Sequence, residues 1–416
     1  MDARRHPQPG LKTPLLRCGL ALLAAALLLA GCGEGRKPPK AALDLRPVAF
    51  TALPGWGADR PGEALPALKR SCARFAKLPA GRSVGPGGLA GTIAEWQPLC
   101  AALAAVPDED DGAARAFFEA WFVPFLAASS DGSGGLFTGY LEMELRGSRV
   151  RDEAHPAPLY RVPDDLVTVD LGDFRADYKG ESIVGRVDGH RFKPYYSREA
   201  IANGALAGQG AELLWVESPI DSFFMEIQGS GRIQLPDGST TRVGFAQSNG
   251  QPYYPIARAL LEDGTFKKGE ASLQKLDAWL RAHPDKAAAL MNRNRSYVFF
   301  REITGDGPIG AQGVVLTAGR SMAVDPAYLP LGGPLWLDTT WPPGSPEAGQ
   351  PLRRLMVAQD TGGAIKGPVR GDFFWGTGAP ALALAGAMQQ PGRYFLLLPK
   401  PAAERRMMLI ARGMLP

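Results

Sequence analysis

Two glycine-rich stretches near the C-terminus, LTAGRSMAVDPAYLPLG (316–332) and AQDTGGAIKGPVRGDFFWGTG (358–378), carry three aspartates at the ends of apolar runs. Asp325 precedes Pro326 in a turn, Asp360 closes one apolar run before Thr361-Gly362-Gly363, and Asp372 opens the run Phe373-Phe374-Trp375. A carboxylate at a strand end beside aromatic surface is desolvated, which raises its pKa and lets it stay protonated as a general acid near neutral pH. Asp372 fits that description best. Asp360, among glycine amides that approach closely, is better suited to stay ionised or to organise its loop, and Lys366 between the two supplies a cation to hold the partner carboxylate. The alternative for all three is turn capping, which Asp-Pro and Asp-Thr-Gly-Gly provide routinely.

Outward from these stretches, almost everything after residue 296 reads as strand: SYVFFREI, GVVLTAG, PLWLDT, RLMVAQD, DFFWG and RYFLLLP, separated by Gly/Pro turns. ALALAGAMQQ alone looks helical there, and many short strands with tight turns predict a small barrel. Upstream, SFFMEIQGSGRIQL carries strand signals before a turn at Pro236-Asp237-Gly238-Ser239, while ARALLEDG and EASLQKLDAWLRAH read as helices. LFTGYLEMEL (136–145) alternates like a strand, and residues 94–128 predict a helix pair broken near Pro107.

Of the 416 residues, 51 are Gly and 37 Pro, a share that argues against a helical bundle or coiled coil. The formal net charge is only +4, and much of the excess sits in Arg4, Arg5, Lys12 and Arg17, so no basic face for nucleic acid is expected. The apolar run CGLALLAAALLLAG (18–31) behind that basic cluster reads as a signal peptide, too short to span a bilayer comfortably. Its end, Leu29-Ala30-Gly31-Cys32, is similar to a bacterial lipobox, which implies lipid on Cys32, and Gly33 in place of Asp points to the outer membrane.

After cleavage two other thiols remain, Cys72 and Cys100. They pair in an oxidising periplasm or remain two buried thiols. His155, His190 and His283 stand alone without a second ligand at metal spacing, so no metal site, His-based triad or cofactor is expected.

Taken together, the segments FTGYLEMELRGS (137–148), SFFMEIQGSGRIQLPDG (222–238), YVFFRE (297–302) and the two aspartate stretches resemble the membrane-bound lytic murein transglycosylase A (MltA) family with its three-aspartate (3D) domain. The chain departs from the family's usual Gly-Tyr-Tyr-Glu-Pro, reading Gly139-Tyr140-Leu141-Glu142-Met143. The resemblance implies a mainly β protein: a double-psi β-barrel domain built from two chain segments, with an inserted second mainly-β domain and a few helices. The expected boundaries are a signal peptide at 1–31, a tether at 32–60, a helical part with the first barrel segment at 61–155, an insert at 156–290 and the second barrel segment at 291–400.

The resemblance further implies cleavage of the β-1,4 bond between N-acetylmuramic acid and N-acetylglucosamine in peptidoglycan glycan strands, without water. Asp372 falls at the family's catalytic acid, with Asp360, Asp325 and Lys366 supporting it. One carboxyl suffices because the substrate's own C6 hydroxyl attacks C1, whereas water-using glycosidases need two. Candidate sugar contacts are Tyr140, Glu142, Gln228, Ser230, Thr361 and Trp375.

Two competing motifs carry less. Gly305-Asp306-Gly307-Pro308-Ile309-Gly310 matches a dinucleotide fingerprint, but Pro308 denies it the helix that the fingerprint needs. Glu217, Asp221 and Glu226 could form the acidic pair of a water-using muramidase. A non-catalytic peptidoglycan-binding lipoprotein is the remaining alternative.

Overall fold

The computed structural model describes residues 41–415; the expected signal peptide and the expected lipidation site Cys32 lie outside the described residues. The first described element is strand β1 (Leu43–Pro47). A tether reaching residue 60 is therefore corrected: β1 pairs antiparallel with β2 (Phe122–Ser129), and Leu45, Leu53 and Trp56 are buried in the core. Trp56 meets Trp336 edge-on at 5.3 Å and its indole N–H donates to Glu119, so the apolar side chains, not the preceding Pro/Lys composition, decide where this segment goes.

Three helices follow β1: α1 (Leu65–Phe75), α2 (Ile93–Ala104) and α3 (Asp111–Trp121). A reciprocal Thr92–Glu95 capping box starts α2, and the Asp110 side chain caps α3 by accepting from Ala113 N at 2.8 Å. The expected continuation of a helix through FVPFLAA fails. Pro124 cannot donate to a helical ladder, and the run instead becomes β2, paired on both edges.

Cys72 in α1 and Cys100 in α2 are joined by a disulfide with Cα atoms 5.5 Å apart. It closes a loop across a sequence separation of 28. Replacing both cysteines by alanine is expected to lower unfolding free energy by about 3–4 kcal/mol, the loop-closure entropy for that length. Denaturant unfolding of the double variant checks it, and an unchanged midpoint contradicts it.

Strand β3 (Gly135–Ser148) serves two sheets. The chain then runs through β4 (Ala157–Tyr160) and a separate antiparallel sheet of β5 (Val167–Asp170), β6 (Ser182–Asp188) and β7 (Arg191–Pro194). It continues through α4 (Arg198–Ala202), β8 (Glu212–Val216), α5 (Pro219–Gln228), β9 (Ser230–Gln234) and β10 (Thr240–Ser248). Helices α6 (Ala257–Glu262), α7 (Leu273–Ala282) and α8 (Pro284–Asn292) lead to β11 (Val298–Ile303).

The SFFMEIQ run, expected as strand, is helix α5. Ser218 accepts from Asp221 N, Pro219 occupies the first turn, and Gly229 ends the helix at φ +78°, so capping chemistry overrides the aromatic strand signal. The β9–β10 hairpin turns at Gly238, φ +83°, as its Pro-Asp-Gly sequence requires.

The last segment supplies β12 (Ser321–Val324), β13 (Pro334–Thr340), β14 (Pro351–Asp360), β15 (Arg370–Thr377), α9 (Gly378–Ala387), β16 (Gln389–Pro399) and α10 (Lys400–Ala411). GVVLTAG forms no strand beyond an isolated Ile309–Val315 bridge, and α10 is a helix where no second one was expected. Pro401 in its first turn is compatible with a helix start.

Six strands pair in a closed ring: β3–β15 parallel, β15–β12 antiparallel, β12–β14 parallel, then β14–β13, β13–β16 and β16–β3 antiparallel. Its interior and the α1–α3 face share one core containing Trp96, Trp336, Phe137, Phe373 and Tyr394. Met143–Arg146 of β3 pairs with β9, and β11 pairs with β10, so the second sheet begins inside β3 and returns at Ile303. The expected limits of 156 and 290 are thus too narrow, because a strand changing partners midway leaves no mark in its own sequence.

Candidate active site

Register places the two carboxylates. Ala323 of β12 lies opposite Asp372 on one neighbour, β15, and opposite Asp360 on the other, β14. Asp372 in turn lies opposite Thr138 of β3. Ala323 contributes only a methyl group, packed with Tyr140, Leu316, Ile365 and Phe374, and the Asp372–Thr138 end of the row opens to a cavity of about 520 Å³ that Asp360 does not line. Its walls come from the barrel (Thr138, Tyr140, Arg370, Asp372), from the loop Gly362–Ile365, and from the second sheet region (Gln228, Phe245, Tyr253).

Asp372 is half-buried on the cavity wall. Its Oδ1 accepts from Thr138 Oγ1 at 2.5 Å, and Arg370 Nη2 donates to that same hydroxyl oxygen at 2.8 Å. Because a guanidinium can only donate, the Thr138 proton is directed at Asp372. Burial pushes the Asp372 carboxyl above the ordinary carboxylate value, while the Thr138 hydrogen bond and the Arg370 charge pull it partly back.

Asp360 accepts from Ala311 N and Thr361 N, both at 2.9 Å, and from the Tyr140 hydroxyl at 3.0 Å. Burial nevertheless raises it to about 6, with the Asp372 charge adding to the effect. Tyr140, enclosed beside both carboxylates, is held well above the ordinary phenol value, first by burial and then by those charges.

The Asp360 shift carries a stability consequence with a definite sign. A raised carboxyl favours the folded state at low pH; that contribution is complete below the unfolded value, about 4, and is lost as pH rises through about 6. Asp360→Asn keeps an oxygen for the two backbone donors and offers its amide to the Tyr140 oxygen. The variant is expected to be more stable than wild type at pH 8, by at most about 3 kcal/mol, with the gain vanishing below about pH 4. Denaturant midpoints across that range test this, and a pH-independent difference contradicts it.

Two family models match the chain: the MltA specific insert domain over residues 136–301 and the 3D domain over residues 320–398. The crystal structure of a membrane-bound lytic murein transglycosylase from Agrobacterium tumefaciens is 35% identical, superposes with a TM-score of 0.78, and is covered to 99% by 88% of this chain. The chain belongs to the MltA family. Escherichia coli MltA, solved with bound chitohexaose, is a further MltA relative at 26% identity and a TM-score of 0.61, with 88% of this chain and 96% of that chain covered. A curated membrane-bound lytic murein transglycosylase A from Vibrio cholerae is 33% identical over 210 residues, 48% of this chain and 55% of the relative's length.

Within this MltA family member, not every expected site residue reaches the cavity. Lys366 is exposed and pairs with no carboxylate among the described residues; the cation near Asp372 is Arg370. Asp360 is desolvated as Asp372 is, and accepts from the backbone amides of Ala311 and Thr361. Asp325 is buried and acts on the loop, accepting from Ala327 N at 3.1 Å and Gly367 N at 2.8 Å. Thr361 contributes its backbone N–H to Asp360 and does not line the cavity.

Among the proposed sugar contacts, Tyr140 and Gln228 line the cavity, and Gln228 Oε1 is oriented by Leu141 N at 3.0 Å. Glu142 does not reach it: its carboxylate is sealed beneath Arg242 of β10, 2.5 Å away. Ser230 is buried in β9. Trp375 lies an odd step along β15 from Asp372, so it faces Phe373 and Trp341, with ring centroids 4.3 and 5.5 Å away.

Arg370 was legible, two residues before Asp372 and therefore on the same face of a strand. Thr138 was not, because its position depends on the pairing of distant strands. The acidic trio is also accounted for. Arg146 holds Glu217, Arg281 holds Asp221, and Glu226 at the cavity wall is gripped by both Nη atoms of Arg198 at 2.9 and 2.8 Å. Among the described residues no group of three His, Cys, Asp or Glu side chains could hold a metal ion.

Proposed function

We propose that this protein is a lytic transglycosylase of peptidoglycan. It cleaves the β-1,4 bond between N-acetylmuramic acid and N-acetylglucosamine without water and leaves a 1,6-anhydromuramoyl end. The observation that carries this reading is Asp372, a carboxyl raised by burial, tethered at one oxygen by Thr138, on a cavity between barrel and second sheet in an MltA family member. The chitohexaose bound to the E. coli relative supports a glycan as occupant of this cavity.

In the proposed reaction Asp372 gives its proton to the glycosidic oxygen as the C1–O bond breaks. The C6 hydroxyl of the same sugar then bonds to C1, and its proton passes to the Asp372 carboxylate, which restores the acid. Held in one ring, the hydroxyl has a high effective concentration, so no second carboxylate has to activate water. Tyr140 and Gln228 are oriented to contact the sugar, and Asp360 and Asp325 hold the wall formed by residues 361–367.

The six-stranded ring is read here as a double-psi barrel assembled from two chain segments, with the second domain inserted between β3 and β11. Two parallel pairings in an otherwise antiparallel ring support that description. The lipobox Leu29-Ala30-Gly31-Cys32 supports lipid attachment at Cys32 and an outer-membrane location facing the periplasm, where a Cys72–Cys100 disulfide persists.

The deciding experiment is the mass of muropeptides released from purified sacculi. Products one water lighter than their hydrolytic counterparts are expected; reducing ends with a free anomeric hydroxyl would exclude the reaction.

A further inference from the structure

A second cavity, of about 380 Å³, shares no lining residue with the one at Asp372. It forms where β14 has one free edge, since β12 joins that strand only from Val357 onward. The segment after β1 covers the edge instead, with Asp59 Oδ2 accepting from Leu355 N at 2.9 Å. Arg60, Arg320, Arg353 and Arg354 line the cavity against two carboxylates, Asp59 and Glu63.

These cations are unequally engaged. Arg320 is bound to both Asp59 and Glu63, and Arg60 pairs with Glu63 and Asp111. Among the described residues Arg353 uses only its Nε, on Asp338 at 2.7 Å, and its terminal nitrogens carry no hydrogen bond there. Arg354 makes no hydrogen bond or ion pair among the described residues; its guanidinium lies 5.5 Å over the Trp341 ring. Burial and the neighbouring Arg320 hold it below the ordinary guanidinium value. Leaving such a group unpaired is costly, and a guanidinium fork matches phosphate oxygens two at a time.

We propose that this cavity binds a phosphate group, with Arg354 and Arg353 as paired donors and Trp341 as a flat wall. Arg60 also meets Asp111 and Arg353 also meets Asp338, so Arg354 is the lining arginine without a carboxylate partner among the described residues, and its charge suits an anionic phosphate. Either a soluble phosphate ester or a lipid headgroup presents that chemistry.

The test is thermal unfolding of the full chain at fixed ionic strength, with inorganic phosphate replacing chloride. Wild type is expected to gain about 2 °C or more in Tm, and Arg354→Met to gain nothing. Arg354→Met is also expected to unfold no lower than wild type without phosphate, because the guanidinium it removes is half-buried and has no carboxylate partner among the described residues. Should that variant fail to fold, Arg353→Gln provides the second measurement, with a smaller phosphate shift expected.

Vesicles of phosphatidic acid in phosphatidylcholine, compared with phosphatidylcholine alone, distinguish the sources. An Arg354-dependent shift with these vesicles assigns the headgroup, and one with inorganic phosphate alone assigns a soluble ester; both support the site. No shift with either probe, or an equal shift in Arg354→Met, overturns it. Muropeptide release by Arg354→Met is expected to be unchanged, so this outcome is independent of the catalytic reading.

Discussion

Asp372→Asn is expected to slow muropeptide release from sacculi by roughly 10²–10⁴-fold, the range for loss of a general acid–base group. The argument is that one carboxyl serves both proton transfers, so an amide that can neither give nor take the proton stops both. No neighbour can substitute. Asp360 is occupied by two backbone donors and the Tyr140 hydroxyl, and Glu226 is gripped by Arg198. Folding should be intact, since asparagine is close in shape, still accepts from Thr138, and removes a carboxyl whose ionised form burial disfavours. Product release followed by chromatography, with co-sedimentation on sacculi as the binding control, provides the measurement. A variant within tenfold of wild type would remove Asp372 from the proposed reaction.

Arg320→Met is expected to cost about 3–5 kcal/mol of stability, the usual penalty for removing one member of a buried ion pair. Arg320 is 2% exposed and donates to Asp59 from Nη1 at 2.8 Å and Nη2 at 3.0 Å, to Glu63 at 2.9 Å, and to the carbonyls of Leu355 and Arg60. The Asp59 side chain is itself only 5% exposed, so the variant would leave an ionised carboxylate in the interior without its cation. The same contacts fasten the segment after β1 to the barrel. Asp59→Ala added to Arg320→Met should cost less than the two single losses combined, because no uncompensated charge remains. Denaturant midpoints of the three variants measure this coupling, and strict additivity would contradict it.

Much of the barrel was readable from local pattern. PLWLDT, RLMVAQD, DFFWG and RYFLLLP alternate or run apolar between Gly/Pro turns, and each became a strand of the ring. Where reading failed, a local signal pointed one way and capping or packing another. SFFMEIQ has strand composition but Ser218 and Gly229 cap it as a helix, and residues 42–60 look like a linker although Leu45, Leu53 and Trp56 fill the core. The candidate site divides in the same manner. Asp372 and Asp360 stand out as carboxyls at strand ends, whereas Glu142 and Trp375, read as sugar contacts, are kept out of the cavity by Arg242 and by strand direction.

What residue order alone carried was chemical type and period: which runs are strands, which glycines turn, and which aspartates sit beside apolar surface, all consequences of neighbours within a few positions. The partnering of Asp372 with Thr138, the Arg354 guanidinium without a counter-charge, and the split of β3 between two sheets arose only on folding. The first and last join strands far apart in the chain, and such pairings are set by closing the ring and filling one common core, a global balance that no short window of sequence contains.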